Sequence, residues 1–246
     1  MSLFAGLSNN GLEETQDRIG GFSVKESGIY TGIIKAMYAG KAASGARSVS
    51  LIVEIAGAEY KETVYITNKE GQNFFLNKND KTKKVPLPGF TIVDDICLCV
   101  TGKSLEQQDV EDRVIELYDH TAGKNVPTSV PMLIECIGGE ISLGIIKQIV
   151  NKNVKDSSGG YVATAETKEE NYTDKVWHTE SQMTTVEARN GNTEPAFWAA
   201  WETKNKGITR DKRTLKDGQA GAVAGAPPQA NGAAAAPAKS LFGKKK

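Results

Sequence analysis

The chain has 246 residues, 30 basic and 30 acidic side chains, a formal net charge of zero, 39% hydrophobic residues and 7% aromatic residues. Such a composition can build one generous packed domain or two small ones, and no apolar run approaches the length of a membrane-spanning helix. Met1 to Gly6 lacks a basic region followed by an apolar stretch, which excludes a secretory signal and sets the expectation of a cytoplasmic protein.

In chain order, the dominant signal is β. Ile29 to Tyr38 is rich in strand formers, and Gly40 to Ala46 is a small-residue loop containing Lys41. Val49, Leu51, Val53 and Ile55 alternate with Ser48, Ser50 and Glu54, the pattern of a half-buried strand. Ala56-Gly57-Ala58 turns the chain into a returning strand, Glu59 to Thr67. There Val64 and Ile66 point one way while Lys61, Thr63 and Tyr65 point the other. A polar connection, Asn68 to Lys84, is interrupted by Phe74-Phe75-Leu76. The Pro86-Leu87-Pro88-Gly89 turn delivers Phe90 to Val100, in which Asp94-Asp95 stand at a strand start. Ser104 to Asp112 predicts a short acidic helix with Ser104 as its N-cap.

Arg113 to Tyr118, Val130 to Ile137 and Glu140 to Val150 predict three more strands, the last two joined at Gly138-Gly139. A further segment runs through Tyr161 to Ala188. Thr193-Glu194-Pro195 opens a helix through Lys204, with Gly207 closing it. Its Phe197, Trp198 and Trp201 form one apolar face that packs on the sheet structure. From Asp217 onward 18 of 30 residues are Ala, Gly or Pro, which cannot supply a core. The expected organisation is one mainly β domain over residues 1–216 and a flexible tail over residues 217–246 with a basic tip, Lys244-Lys245-Lys246. A small barrel with a long inter-strand insertion and a C-terminal capping helix is the economical architecture.

Catalytic signatures are missing: there is no Gly-x-Ser-x-Gly, no Walker pattern and no His-Glu-x-x-His helix. Asp94 and Asp95 are neighbours, and neighbours on a strand point to opposite faces, so they do not converge on a metal ion. Cys97, Cys99 and Cys136 lie in apolar runs and read as small buried hydrophobes. His120 and His178 lack the paired spacing of a zinc site. The expectation is a protein without catalysis, metal or cofactor.

Charge distribution is more informative than its sum. Lys69 to Lys84 holds five lysines against Glu70 and Asp80, and Ile141 to Lys155 holds three and no acid, among them Lys147 and Lys152. Lys204 to Lys216 holds six basic residues against Asp211. Acids gather at Glu106, Asp109, Glu111, Asp112, Glu116 and Asp119. Single nucleic-acid strands are held by basic grooves plus aromatic rings on which bases stack. Arg47, Lys61, Tyr65, Lys69, Phe74, Phe75, Lys78, Lys81, Lys83 and Lys84 offer that mixture, with Trp177 as a further stacking candidate. Phe74 and Phe75 serve either as stacking rings or as anchors of a long loop. Tyr38 and Tyr60 read as core residues.

Three stretches carry a resemblance: Gly28-Ile-Tyr-Thr-Gly-Ile-Ile-Lys-Ala-Met-Tyr-Ala-Gly, Ser48-Val-Ser-Leu-Ile-Val-Glu-Ile, and Tyr60-Lys-Glu-Thr-Val-Tyr-Ile-Thr-Asn-Lys-Glu-Gly. Together with Leu87-Pro-Gly-Phe and Gly144-Ile-Ile-Lys-Gln-Ile-Val-Asn-Lys, they resemble bacteriophage single-stranded DNA-binding proteins with an OB-fold, over roughly Gly28 to Gly207. The resemblance implies an OB-like β-barrel that coats exposed strands in DNA replication, recombination or repair inside an infected bacterial host. It implies single-stranded DNA as ligand, as monomer or homodimer, and phage replication proteins reached through the tail. The basic tip departs from the acidic tail of many such proteins, so autoinhibition by charge mimicry is not expected here. Ser-Leu-Phe occurs at both Ser2 and Ser240, a docking peptide or a coincidence. The rival classes are a phage structural or assembly protein and a nuclease using Asp94 or a glutamate with a divalent ion.

Overall fold

The computed structural model describes residues 24–119, 121–156 and 160–215. In chain order its elements are β1 (Gly28–Lys41), β2 (Arg47–Ile55), β3 (Ala58–Tyr65), β4 (Phe74–Leu76), β5 (Lys84–Pro86), α1 (Pro88–Thr101), β6 (Val110–Asp119), β7 (Lys124–Leu133), β8 (Glu140–Lys155), β9 (Tyr161–Trp177), α2 (Thr185–Arg189), α3 (Phe197–Asn205) and β10 (Thr209–Asp211). The fold is mainly β, as expected. The boundary near Asp217, the tail and the two Ser-Leu-Phe motifs lie outside the described residues.

β1 is shared between two antiparallel partners. Its Gly28–Ile33 half pairs with β8, and its Ile33–Lys41 half pairs with β2, with an irregularity between Ile34 and Ala36 where the strand changes partner. β2 continues antiparallel to β3, while β8 pairs along most of its length with β9 and receives β10 in parallel. The backbone order is therefore β3-β2-β1-β8-β9. Among the described residues no ladder joins β3 to β9, so the expected closed barrel is not formed by backbone pairing. The gap is bridged by side chains: the Glu62 carboxylate on β3 accepts the Thr173 amide at 3.0 Å and the Thr173 hydroxyl at 2.6 Å.

The main core follows from period-2 alternation. Val49, Leu51, Val53 and Ile55 of β2 face Ile34 and Met37 of β1, Ile141, Leu143 and Ile145 of β8, and Ile92, Val93, Ile96 and Cys97 of α1. That last group corrects the expectation of a strand over Phe90 to Val100. Pro88 sits in the first turn, Gly102 ends the helix in the left-handed region at φ 72°, and its amide donates to the Leu98 carbonyl. Spacing Ile92, Val93, Ile96 and Cys97 at i, i+1, i+4 and i+5 puts all four on one helical face. Asp94 and Asp95 are thereby on adjacent helical positions, and both serve the fold: Asp94 accepts the Leu105 amide at 2.8 Å, and Asp95 accepts the Thr185 hydroxyl at 2.6 Å.

Three other boundaries differ from the sequence expectation. The acidic helix after Ser104 is a single 3-10 turn, Leu105–Gln107, and strand β6 already begins at Val110. Gly138-Gly139 does not make a hairpin, since β7 pairs with β6 and its backbone bridges β1 at the single pair Tyr38–Met132. The C-terminal helix starts at Phe197, two residues beyond Pro195, where the Glu187 carboxylate accepts the Ala196 and Phe197 amides at 2.8 Å each.

That helix packs as expected against the sheet. Trp177 is completely buried, with ring centroids 5.4 Å from Trp198 and 5.4 Å from Trp201. Gly144 makes room for the cluster, because a Cβ there would lie 2.8 Å from both the Trp177 and Trp201 rings. Cys97 and Cys136 are buried free thiols with sulfur atoms 4.0 Å apart.

Candidate nucleic-acid interface

Alternation along β1, β2 and β3 presents a second face, away from the main core. Its cross-strand rows run Ile33–Glu54–Glu59, Ala36–Ile52–Lys61, Tyr38–Ser50–Thr63 and Gly40–Ser48–Tyr65. The β6–β7 hairpin lies over the first strands of this face. Val130 and Met132 of that hairpin cluster with Ala36, Tyr38, Ile52, Ile115 and Leu117. Between the hairpin and β3 remains a groove of about 300 Å³, with Ser50, Ile52, Lys61 and Thr63 on its floor side and Glu116, Tyr118 and Asn125 opposite.

Charge varies along this face. At one end Glu54 pairs with Lys35 at 3.0 Å, and Lys61 pairs with Glu59 at 2.7 Å. Both pairs are exposed, so they contribute little and exchange readily for another anion. At the other end Tyr65 is 55% exposed, beside a row containing only Gly40 and the small Ser48. Gly89 allows α1 to begin directly against this strand, since a Cβ there would lie 2.2 Å from the Tyr65 carbonyl oxygen.

The loop after β1 and the turn after β3 are tied together at the Tyr65 end. Ile66 donates its amide to the Arg47 carbonyl at 2.9 Å, and Arg47 donates its own amide to the Thr67 hydroxyl at 2.8 Å. Exposed Lys41 and Arg47 are cross-strand partners, and exposed Lys69 follows the same turn. Lys69 is 3.7 Å from Glu70, whereas Lys41 and Arg47 have no ion pair among the described residues.

Next along the chain, β4 and β5 form a small hairpin with a lysine-bearing tip. Asn77 accepts the Asn79 amide at 2.8 Å, and Asp80 accepts the Thr82 hydroxyl at 2.6 Å, which folds the tip and holds the Asp80 carboxyl below the usual carboxylate range. Lys78, Lys81, Lys83 and Lys84 are exposed there, with Lys83 lying 3.5 Å from Asp80. Phe74 is half-buried, and the Lys84 ammonium stands 4.4 Å from its ring centroid, so one face of that ring is taken. Phe75 is 46% exposed.

The remaining candidates lie elsewhere. Trp177 has no exposed surface and stacks on no ligand; its ring is core. Lys147 is only 15% exposed and is held by Glu26 at 3.0 Å and Glu169 at 3.1 Å, so its charge is already neutralised. Lys152 sits on the β8–β9 hairpin, paired with Glu166 at 3.1 Å. Both belong to β8, which β1 separates from β2. Sequence reasoning missed the β6–β7 wall, above all Tyr118 and Asn125, which face each other across that hairpin. Tyr38, expected in the core, is half-buried and lines the groove. The signal for Tyr118 is its place at the end of an alternating strand, but nothing local to β6 reveals which face the strand lies on. No protein-family model matches the chain, and comparison with curated proteins finds no match.

Proposed function

We propose that the protein is a non-catalytic, sequence-tolerant single-stranded DNA-binding protein that coats exposed strands in phage DNA replication, recombination or repair. The observation that carries this reading is the β2–β3 outer face, where a basic residue, Lys61, lines the groove and an exposed aromatic ring, Tyr65, stands two rows further along the same face. Arg47, Lys41 and Lys69 extend the positive surface beyond Tyr65, and Phe75 with the lysine-bearing hairpin continues it. Phosphates pair with the cations, while bases stack on the rings at on the order of 1–3 kcal/mol each.

Strand order supports an OB-like reading of the core. The order β3-β2-β1-β8-β9, with a helix inserted between the third and fourth of these strands in sequence, parallels that of a five-stranded OB-fold, with Glu62 and α1 spanning β3 and β9 where no ladder joins them among the described residues. OB-folds bind oligonucleotides on the outer face of their second and third strands. That is the face bearing Lys61 and Tyr65.

The test is a fluorescence titration with single- and double-stranded oligonucleotides of mixed sequence at several salt concentrations. Preferential single-strand binding is expected, weakening with a log–log slope of about −0.7 per phosphate neutralised. A flat salt response, or no binding at low salt, overturns the reading.

A further inference from the structure

β6 pairs with β7 on one side only, and its other edge carries no ladder among the described residues. An open edge is a template for another strand. β7 carries Pro127 and Pro131, which cannot donate to a ladder, whereas β6 has no proline. Along β6, Val110 and Val114 are 52% and 68% exposed, and Glu111, Asp112 and Glu116 outnumber the single cation, Arg113. A second copy's β6 is a poor occupant, because antiparallel pairing about Val114 sets Asp112 against Glu116 twice, a like-charge clash. The edge calls for a strand that is apolar at its centre and basic at one end.

The chain itself contains one such segment outside the described residues. Ser240-Leu-Phe-Gly-Lys-Lys-Lys246 has two large apolar side chains followed by three lysines and no acid, whereas residues 1–23 carry Glu13, Glu14 and Asp17 against Arg18. We propose that Ser240–Lys245 adds to the free edge of β6 of its own chain as an antiparallel strand, with Phe242 opposite Val114. This register sets Leu241 opposite Ile115, Gly243 opposite Arg113, Lys244 opposite Asp112, Lys245 opposite Glu111 and Ser240 opposite Glu116. Every position is then apolar on apolar, opposite in charge, or small beside a large charged group. Sliding by two residues sets Phe242 against Glu116 or Asp112 and loses the match. Parallel pairing through Phe242 and Val114 keeps only Lys244 with Glu116.

Reach favours the same chain. The 24 residues between Leu215 and Ser240 span up to about 80 Å at ~3.3–3.6 Å each, against a radius of gyration of roughly 16 Å for a domain of this size. A tethered segment acts at an effective concentration near millimolar, well above that of a second copy at micromolar protein. Docking would also offset the negative wall of the groove, since Glu116 lines it; this consequence alone rests on the single-stranded DNA reading.

The experiment is register-specific disulfide trapping in the full chain with copper phenanthroline and air, without DNA. Phe242→Cys with Val114→Cys should form a disulfide in a species of monomer mobility, whereas Leu241→Cys with Val114→Cys, which puts the thiols on opposite faces, should give several-fold less. The single-cysteine variants report any background from Cys97, Cys99 and Cys136. Adding Glu111→Lys and Asp112→Lys should abolish trapping, and Lys244→Glu with Lys245→Glu should restore it. Equal yields from the two pairs, a disulfide found only in dimers, or indifference to the charge reversals overturns the proposal. Because trapping needs no DNA, its failure leaves the oligonucleotide titration as an independent test of the binding function.

Discussion

The Glu62 carboxylate on β3 and the Thr173 amide on β9 meet at 3.0 Å, across the gap between two strands that no ladder joins among the described residues. The same carboxylate accepts the Tyr60 hydroxyl at 2.8 Å, so one side chain joins three groups where a backbone ladder is missing. Burial, with the neighbouring Glu62 charge, pushes the Tyr60 phenol well above its ordinary range, so it remains a donor at all working pH values. Glu62→Ala leaves the buried Thr173 amide without a partner and should cost about 1–3 kcal/mol. Glu62→Gln keeps an acceptor and should cost less. Urea unfolding of the three proteins decides it, and equal midpoints would show that the gap is held by α1 alone.

Tyr65→Ala should weaken single-strand binding by on the order of 1–3 kcal/mol, because the stacking ring is removed. Tyr65→Phe should bind as the parent does, since stacking uses the ring and not the hydroxyl. Normal binding by a folded Tyr65→Ala protein would remove the outer face of β3 from the interface.

Much of this face is legible in the sequence because strands have a strict period of two. Once Val49 to Ile55 is read as half-buried, the opposite direction of Lys61, Thr63 and Tyr65 follows from alternation, and the β2–β3 register places them in rows. Phe90 to Val100 is ambiguous because a short apolar run rich in β-branched residues fits either a strand or a buried helix. Its i, i+4 spacing and the proline in its first turn are the features that mark it as a helix. Lys147, Lys152 and Trp177 depart from expectation for another reason. Whether a lysine is free or an aromatic ring exposed depends on partners distant in sequence: Glu26 lies 121 residues from Lys147. Composition alone carries no record of that pairing.

All three tryptophans of the chain, Trp177, Trp198 and Trp201, belong to one cluster beneath α3. DNA bound on the β2–β3 face should therefore leave intrinsic tryptophan emission almost unchanged while a labelled oligonucleotide reports binding. Strong quenching that disappears in Trp198→Phe would move the interface to α3. Trp177→Ala should instead act on stability, at about 3–5 kcal/mol for a fully buried ring.

Neutralising Lys147 separates a lysine held in an internal ion pair from those that the proposed function assigns to DNA. Its ammonium bridges Glu26 and Glu169, whereas Lys78 and Lys81 have no ion pair among the described residues. Lys147→Met should leave the salt slope of DNA binding unchanged and lower the unfolding midpoint. The double variant Lys78→Gln, Lys81→Gln should reduce the slope if the hairpin tip touches phosphate, by about 0.7 for each phosphate no longer neutralised. A reduced slope from Lys147→Met would contradict its assignment to an internal ion pair.

Acid should loosen the C-terminal helix before the sheet. Burial alone would raise the Glu187 carboxyl, but amide donors from Thr184, Phe197 and Ala196 outweigh it and hold the group below the ordinary carboxylate range. A carboxyl that is more acidic in the folded state than unfolded contributes stability above its unfolded value of about 4.3 and loses it as pH falls through the folded value. Asp95 has the opposite sign: burial dominates, its second oxygen has no hydrogen-bond partner among the described residues, and its carboxyl lies above the ordinary range. Its charge therefore works against folding at neutral pH, and that penalty fades as acid protonates it. Glu187→Gln should accordingly destabilise the protein at pH 7, with the difference from the parent shrinking below about pH 4. Asp95→Asn, which keeps an acceptor for the Thr185 hydroxyl, should raise the melting temperature at pH 7 and lose that advantage in acid. Thermal unfolding at pH 7, 5, 4 and 3 separates the two, because their differences from the parent start with opposite sign and both fade in acid. A Glu187→Gln deficit that is independent of pH would show that the caps on α2 and α3 depend on shape rather than on the carboxylate charge.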